Sequence, residues 1–127
     1  MSAEAAAFAA LRAALAGVAG LNGVYPGPPL AASPPWAELG PIVAADWGVK
    51  DRAGRELRVQ VTLADRAEEP ARLLALAGLA GAAIEALPKA LDGWELVSVA
   101  LARTRLAADR PGQWRCVHEY RLRMLAT

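Results

Sequence analysis

The chain has 127 residues, of which 55% are hydrophobic and 21% charged, and its formal net charge is +1. That length fits a single domain over residues 1–127 that buries roughly two-thirds of the surface its unfolded form exposes. The hydrophobic content excludes a disordered chain, and the near-neutral balance excludes a nucleic-acid binder working through bulk charge.

Residues 3–19 are dense in alanine, with Phe8, Leu11, Leu15 and Val18 at steps of three, four and three. This spacing predicts an amphipathic helix, capped at its start by Ser2 and followed by Gly20. The run from Ala5 to Leu21 is interrupted by Arg12, and the later apolar run from Leu73 to Leu87 carries Glu85. Neither reaches the roughly 18 uncharged residues of a membrane span. The only charge near Met1 is Glu4, whereas an export signal opens with basic residues. No membrane partner is expected, and the single cysteine, Cys116, fits a reducing compartment.

Residues 23–40, "GVYPGPPLAASPPWAELG", place five prolines between Pro26 and Trp36. Proline fixes φ and lacks a backbone donor, so this stretch predicts a stiff extended connector framed by Tyr25 and Trp36. Two readings stand for it: a rigid surface loop, or an arm laid along the sheet or against another subunit. Strands are expected over 37–47 and 56–64, the second alternating Leu57, Val59, Val61 and Leu63 inward with Arg58, Gln60 and Thr62 outward. Asp51 and Gly54 make the connection a hairpin loop whose tip carries Lys50, Asp51, Arg52 and Arg55.

Asp65, Glu68, Glu69 and Pro70 announce a second helix that ends by Pro88. Leu73, Leu76, Ala77, Ala80, Ile84 and Leu87 form its core stripe, beside a neighbouring stripe of Leu74, Gly78 and Gly81. Each glycine lowers helix propensity by about 1 kcal/mol, which suggests close approach of another backbone, with the alanine-rich first helix as the expected neighbour. Two further strands follow, from Trp94 to about residue 106 and from Gln113 to Leu125. Val97, Val99, Leu101 and the alternate set from Trp114 to Met124 are expected in the core. The resulting fold class is α+β in the order α-β-β-β-α-β-β: a mostly four-stranded antiparallel sheet with two helices on one face.

Catalytic patterns fail. No Walker loop is present, and no GxGxxG lies between a strand and a helix. Cys116 and His118 share a strand face, but the chain has no other cysteine or histidine to complete a usual zinc set. Both are read as core residues. Asp65, Glu68, Glu69, Asp92 and Asp109 fall in turns or at helix starts, where capping accounts for them. The expectation is no enzyme, no metal and no cofactor.

The arginines carry more. Twelve of the fourteen basic residues are Arg, and Arg103, Arg105, Arg115, Arg121 and Arg123 alternate along the final hairpin. They predict a basic stripe on the uncovered sheet face, either a solvated surface or a partner surface. No aromatic is expected to interleave them on that face, which argues against a platform for single-stranded nucleic acid. The rival class is a small-ligand domain with an apolar pocket near Trp47, Trp94 and Trp114.

Taken together, "GVYPGPPL" leading into "PWAELGPIVAADWGVKDRAGRELRVQVTL", then "LLALAGLAGAAIEAL" and "LVSVALARTRLAADRPGQWRCVHEYRLRML", resembles the tail terminator, or tail completion, proteins of long non-contractile phage tails and gene transfer agents. The resemblance covers nearly the whole chain, and its most specific part is "VYPGPP" followed by a strand ending in "DW". It implies a non-enzymatic virion protein, made in the bacterial cytoplasm, that forms a homohexameric ring on the head-proximal end of the tail tube. Its implied partners are itself, the tube protein and the head-tail connector or stopper, with DNA met only by passage through the lumen. On this reading Tyr25, Pro28, Pro29, Trp36, Lys50, Arg52, Arg55, Arg103, Arg105, Arg115, Arg121 and Arg123 are the candidate interface residues.

Overall fold

A computed structural model describes residues 1–127. Helix α1 (Ala3–Ala16) opens where expected: Ser2 is extended, and its hydroxyl accepts from the Ala5 amide at 3.1 Å. That bond satisfies one of the amides a helix start leaves unpaired. Two residues, Val24–Tyr25, form β1, and the chain then runs through the proline segment into β2 (Trp36–Asp46) and β3 (Gly54–Arg66). Helix α2 (Ala71–Glu85), the two-residue β4 (Ala90–Leu91), β5 (Trp94–Arg110) and β6 (Gln113–Ala126) complete the fold.

The sheet has six strands in the order β1-β2-β3-β6-β5-β4. The four long strands are the expected antiparallel ones. The two short strands are additions, and β1 runs parallel to β2, so the sheet is mixed rather than four-stranded and purely antiparallel. Strand β5 is also longer than the sequence suggests. It continues to Arg110 and turns at Pro111 and Gly112, where Gly112 has φ +76°, a conformation open to glycine at little cost.

Both helices cover one face. Leu57, Val59, Val61 and Leu63 of β3 and Cys116, Tyr120, Leu122 and Met124 of β6 are at most 1% exposed. They pack with Leu11 and Leu15 of α1 and Leu73, Ala77 and Ile84 of α2 in a single core. Alternation on β6 thus places Cys116 and His118 inward as read from the sequence, buried beneath α2. Strand β5 departs from expectation. Its pairing with β6 shifts between Leu96 and Ser98 and again between Leu101 and Arg103, and these bulges break its alternation. Leu96 is buried and Val99 packs on the core, whereas Val97 and Leu101, both expected inside, are 43% and 45% exposed.

Candidate functional surfaces

Tyr25 and Trp36 come together at the base of the proline segment. Pairing of β1 with β2 brings their rings into an edge-on contact, 6.3 Å between centroids. Asn22 fastens the segment from below. Its backbone amide donates to the Pro35 carbonyl at 2.8 Å, and its side-chain amide donates to the carbonyls of Ser33 and Pro34. Asn22 thus supplies both a backbone and a side-chain donor to a segment whose prolines have no N–H of their own. Pro28 stays exposed above this base, Pro29 is half-buried, and Leu30 projects fully exposed at 108%.

All five arginines of the final hairpin lie on the open sheet face, and most are neutralised within the chain. Arg103 pairs with Glu119 at 2.9 Å, Arg115 with Asp109, and Arg123 with Glu56 at 2.9 Å. Arg123 lowers the Glu56 carboxyl below its ordinary range through this hydrogen bond. Aromatics do reach this face, contributed by and beside β2: the Arg115 and Arg123 guanidiniums stand 5.3 Å from the ring centres of Trp36 and Trp47. The expectation that no aromatic lies among the arginines on this face is therefore overturned, because Trp36 and Trp47 reach it from another strand and its loop.

Arg105 and Arg121 make no ion pair. Arg121 faces Arg58 directly across the β3-β6 ladder, and its Nε is shielded from water with no acceptor. Like charges placed opposite in a sheet repel. This pair is the part of the basic stripe without a direct ion pair, and its Arg58 comes from β3 rather than from the final hairpin.

The loop after β2 sits at the other end of the sheet. Lys50 is exposed, Arg52 donates from Nε to the Ala126 carbonyl at 2.8 Å and pairs with Glu95 at 3.0 Å, and Arg55 reaches the Gly54 carbonyl and Asp46. Arg52 thereby fastens the hairpin to the end of β6.

The chemistry of a reactive site is not assembled. His118 Nε2 lies 3.1 Å from the Ala77 carbonyl, which can only accept, so Nε2 donates to it, and Nδ1 is hydrogen-bonded with the Thr104 hydroxyl at 2.7 Å. Both ring nitrogens are used structurally. Burial pushes the Cys116 thiol above its ordinary range, the opposite of a nucleophile's requirement. No three His, Cys, Asp or Glu side chains converge on a common point. The tryptophans of the rival pocket reading do not meet: Trp114 donates to the Ala67 carbonyl at one end of β6, Trp94 donates to the Met1 carbonyl at the other, and Trp47 stacks with Arg123 on the open face.

One surface escaped the sequence reading. Gly78 and Gly81 do not receive α1. A Cβ at Gly78 would meet nothing within 4 Å, and one at Gly81 would touch only the Tyr120 hydroxyl, at 3.4 Å. They flank an open trough of about 350 Å³ between α2 and β5. The signal available was the Leu74, Gly78, Gly81 stripe itself, misread because α1 was the nearest candidate for its partner.

The fold therefore defines a class: an α+β domain of two helices on a six-stranded mixed sheet. The profile of the tail completion protein gp17 family matches residues 5–124, and the chain belongs to that family, made up of structural proteins of the virion tail and not of enzymes. Among solved structures it is similar to a chain from the virion of a native gene transfer agent particle. The identity is 23%, the TM-score 0.68, and the match covers 98% of this chain and 96% of the other. No curated protein sequence matches.

Proposed function

We propose that this tail completion protein forms a hexameric ring that caps the head-proximal end of the tail tube and joins it to the head connector. The observation that carries the reading is the unlike character of the two sheet edges. At one, β1 bears the stiff proline arm; at the other, the long strand β5 is paired beyond Glu95 only on its β6 side. A ring requires two different patches on each subunit, meeting head to tail with a rotation that closes. Two-fold dimers instead use one patch twice. An arm whose freedom is already restricted loses little on docking.

The open face, on which Arg58, Arg105 and Arg121 make no ion pair, is a further surface, turned toward the tube or connector in this scheme. Arg guanidiniums suit interface carboxylates. Particles assembled without this protein test the proposal. Tails that are overlong and separated from filled heads are expected; normal, joined tails would contradict it.

A further inference from the structure

We infer that the uncharged arm between β1 and β2 of one copy, led by Leu30, seats in the trough between α2 and β5 of a second copy. This rests on the ring reading above and names the joint that would hold the ring together.

The trough is bounded by Leu74, Gly78, Gly81 and Glu85 of α2 and by Leu101 and Thr104 of β5. Leu74 and Leu101 are 46% and 45% exposed, and Leu106 continues the apolar strip along β5 at 37%. Its depth comes from the glycines. Any side chain at Gly78 would project into open space and fill it, and Gly78 touches nothing that accounts for a glycine within a helix. The lack of an internal reason points to an approach from outside. A second observation lies at the floor, where the Tyr120 hydroxyl is buried with no hydrogen-bond partner. Desolvation raises its pKa, keeping it a protonated donor in want of an acceptor.

The arm has the complementary chemistry. Residues 21–37 include no charged side chain, as a trough with only Glu85 at its rim requires. The prolines at 26, 28, 29, 34 and 35 supply carbonyls without amides, an excess of acceptors opposite an unpaired donor. Leu30, fully exposed in its own chain, is the apolar knob. The arm springs from the β1-β2 edge and the trough lies along β5, four strand spacings away, or about 19 Å. An arm at one edge and its receptor at the other is the head-to-tail geometry by which identical subunits join.

The test compares self-association of the wild-type chain, Leu30→Asp and Gly78→Leu by sedimentation over a concentration series, with melting temperature as the folding control. Gly78→Leu is the sharper variant, because it adds helix propensity to an exposed position while filling the trough. The expected result is an association midpoint raised at least tenfold in both variants, with melting temperature unchanged or higher. Mixing Leu30→Cys protein with Gly78→Cys protein under a mild oxidant should also give a cross-linked dimer that neither forms alone.

Wild-type association that both variants retain would overturn the joint and leave the ring reading standing. A Gly78→Leu protein that self-associates normally but no longer binds the tail tube protein would overturn it in favour of a tube segment in the trough. A wild-type chain that never associates, alone or with the tail tube protein, would overturn both readings.

Discussion

Asp65 is the one charged side chain that folding takes out of water; it is 4% exposed. Its carboxylate accepts from Nε and Nη2 of Arg72, at 2.8 and 2.6 Å, and from the Arg66 amide at 2.8 Å. The Arg72 hydrogen bond holds its pKa below the ordinary 3.8, against the opposing effect of burial. A carboxyl depressed on folding contributes stability that is fully present above its unfolded pKa and is lost as pH falls through the folded value. Stability should therefore decline below about pH 4, and Asp65→Asn should flatten that decline while costing about 1–3 kcal/mol at neutral pH. Denaturant titrations between pH 2 and pH 7 check both. A variant as acid-sensitive as the wild type would show that other carboxyls govern the response.

Ile84 makes the apolar counterpart of this argument. It is 0% exposed in the core stripe of α2, and Ile84→Ala should cost about 2–5 kcal/mol. An unchanged denaturation midpoint would show that the helix does not rest on the sheet through this residue.

At the scale of elements, the arginine stripe separates into fastened and free members. Arg123 is tied to Glu56 and lies over Trp47, whereas Arg121 faces Arg58 and neither makes a direct ion pair. Arg121→Glu should convert a like-charge cross-strand pair into an opposite one, stabilising the isolated subunit by about 0.2–1 kcal/mol. Arg123→Glu should destabilise it, since it sets a carboxylate against Glu56. Thermal unfolding of the two single variants distinguishes them, and equal effects would mean that the stripe behaves as a uniform solvated face.

Elements with unbroken periodicity were legible in the sequence. The Ser2 cap, the inward set of β3 and the whole alternation of β6 follow from residue spacing alone. Strands β1 and β4 were not, because two residues carry no period and owe their state to the strand beside them. The bulge at Val97 breaks the alternation of β5 and takes Val97 off the core, whereas Leu101 keeps the helix-facing side and is uncovered because it lines the trough beside α2. The proline arm was recognised as stiff, but its attachment through Asn22 and the Tyr25-Trp36 contact depends on residues far apart in sequence. The α2 trough was hidden for the same reason: its second wall is β5.

For the molecule as a whole, a curled sheet closed on one face by two helices leaves three surfaces unoccupied: the proline arm, the trough with the free β5 edge, and the partly neutralised open face. A monomer of this size that leaves five leucines and a strand edge uncovered is exposed to unplanned association. A subunit built for a ring uses those features at its joints. Ionic strength separates the contributions. A joint made by the uncharged arm should persist in salt that screens exposed charges beyond about 3 Å at 1 M, whereas one made by the Arg face should loosen.

The most direct test of the ring is native mass spectrometry of the purified chain across a concentration series, alone and with the tail tube protein. A closed species of six copies, with no continuing series of higher oligomers, is the expected result. A chain that remains monomeric under every condition, or that grows without closing, would contradict the account.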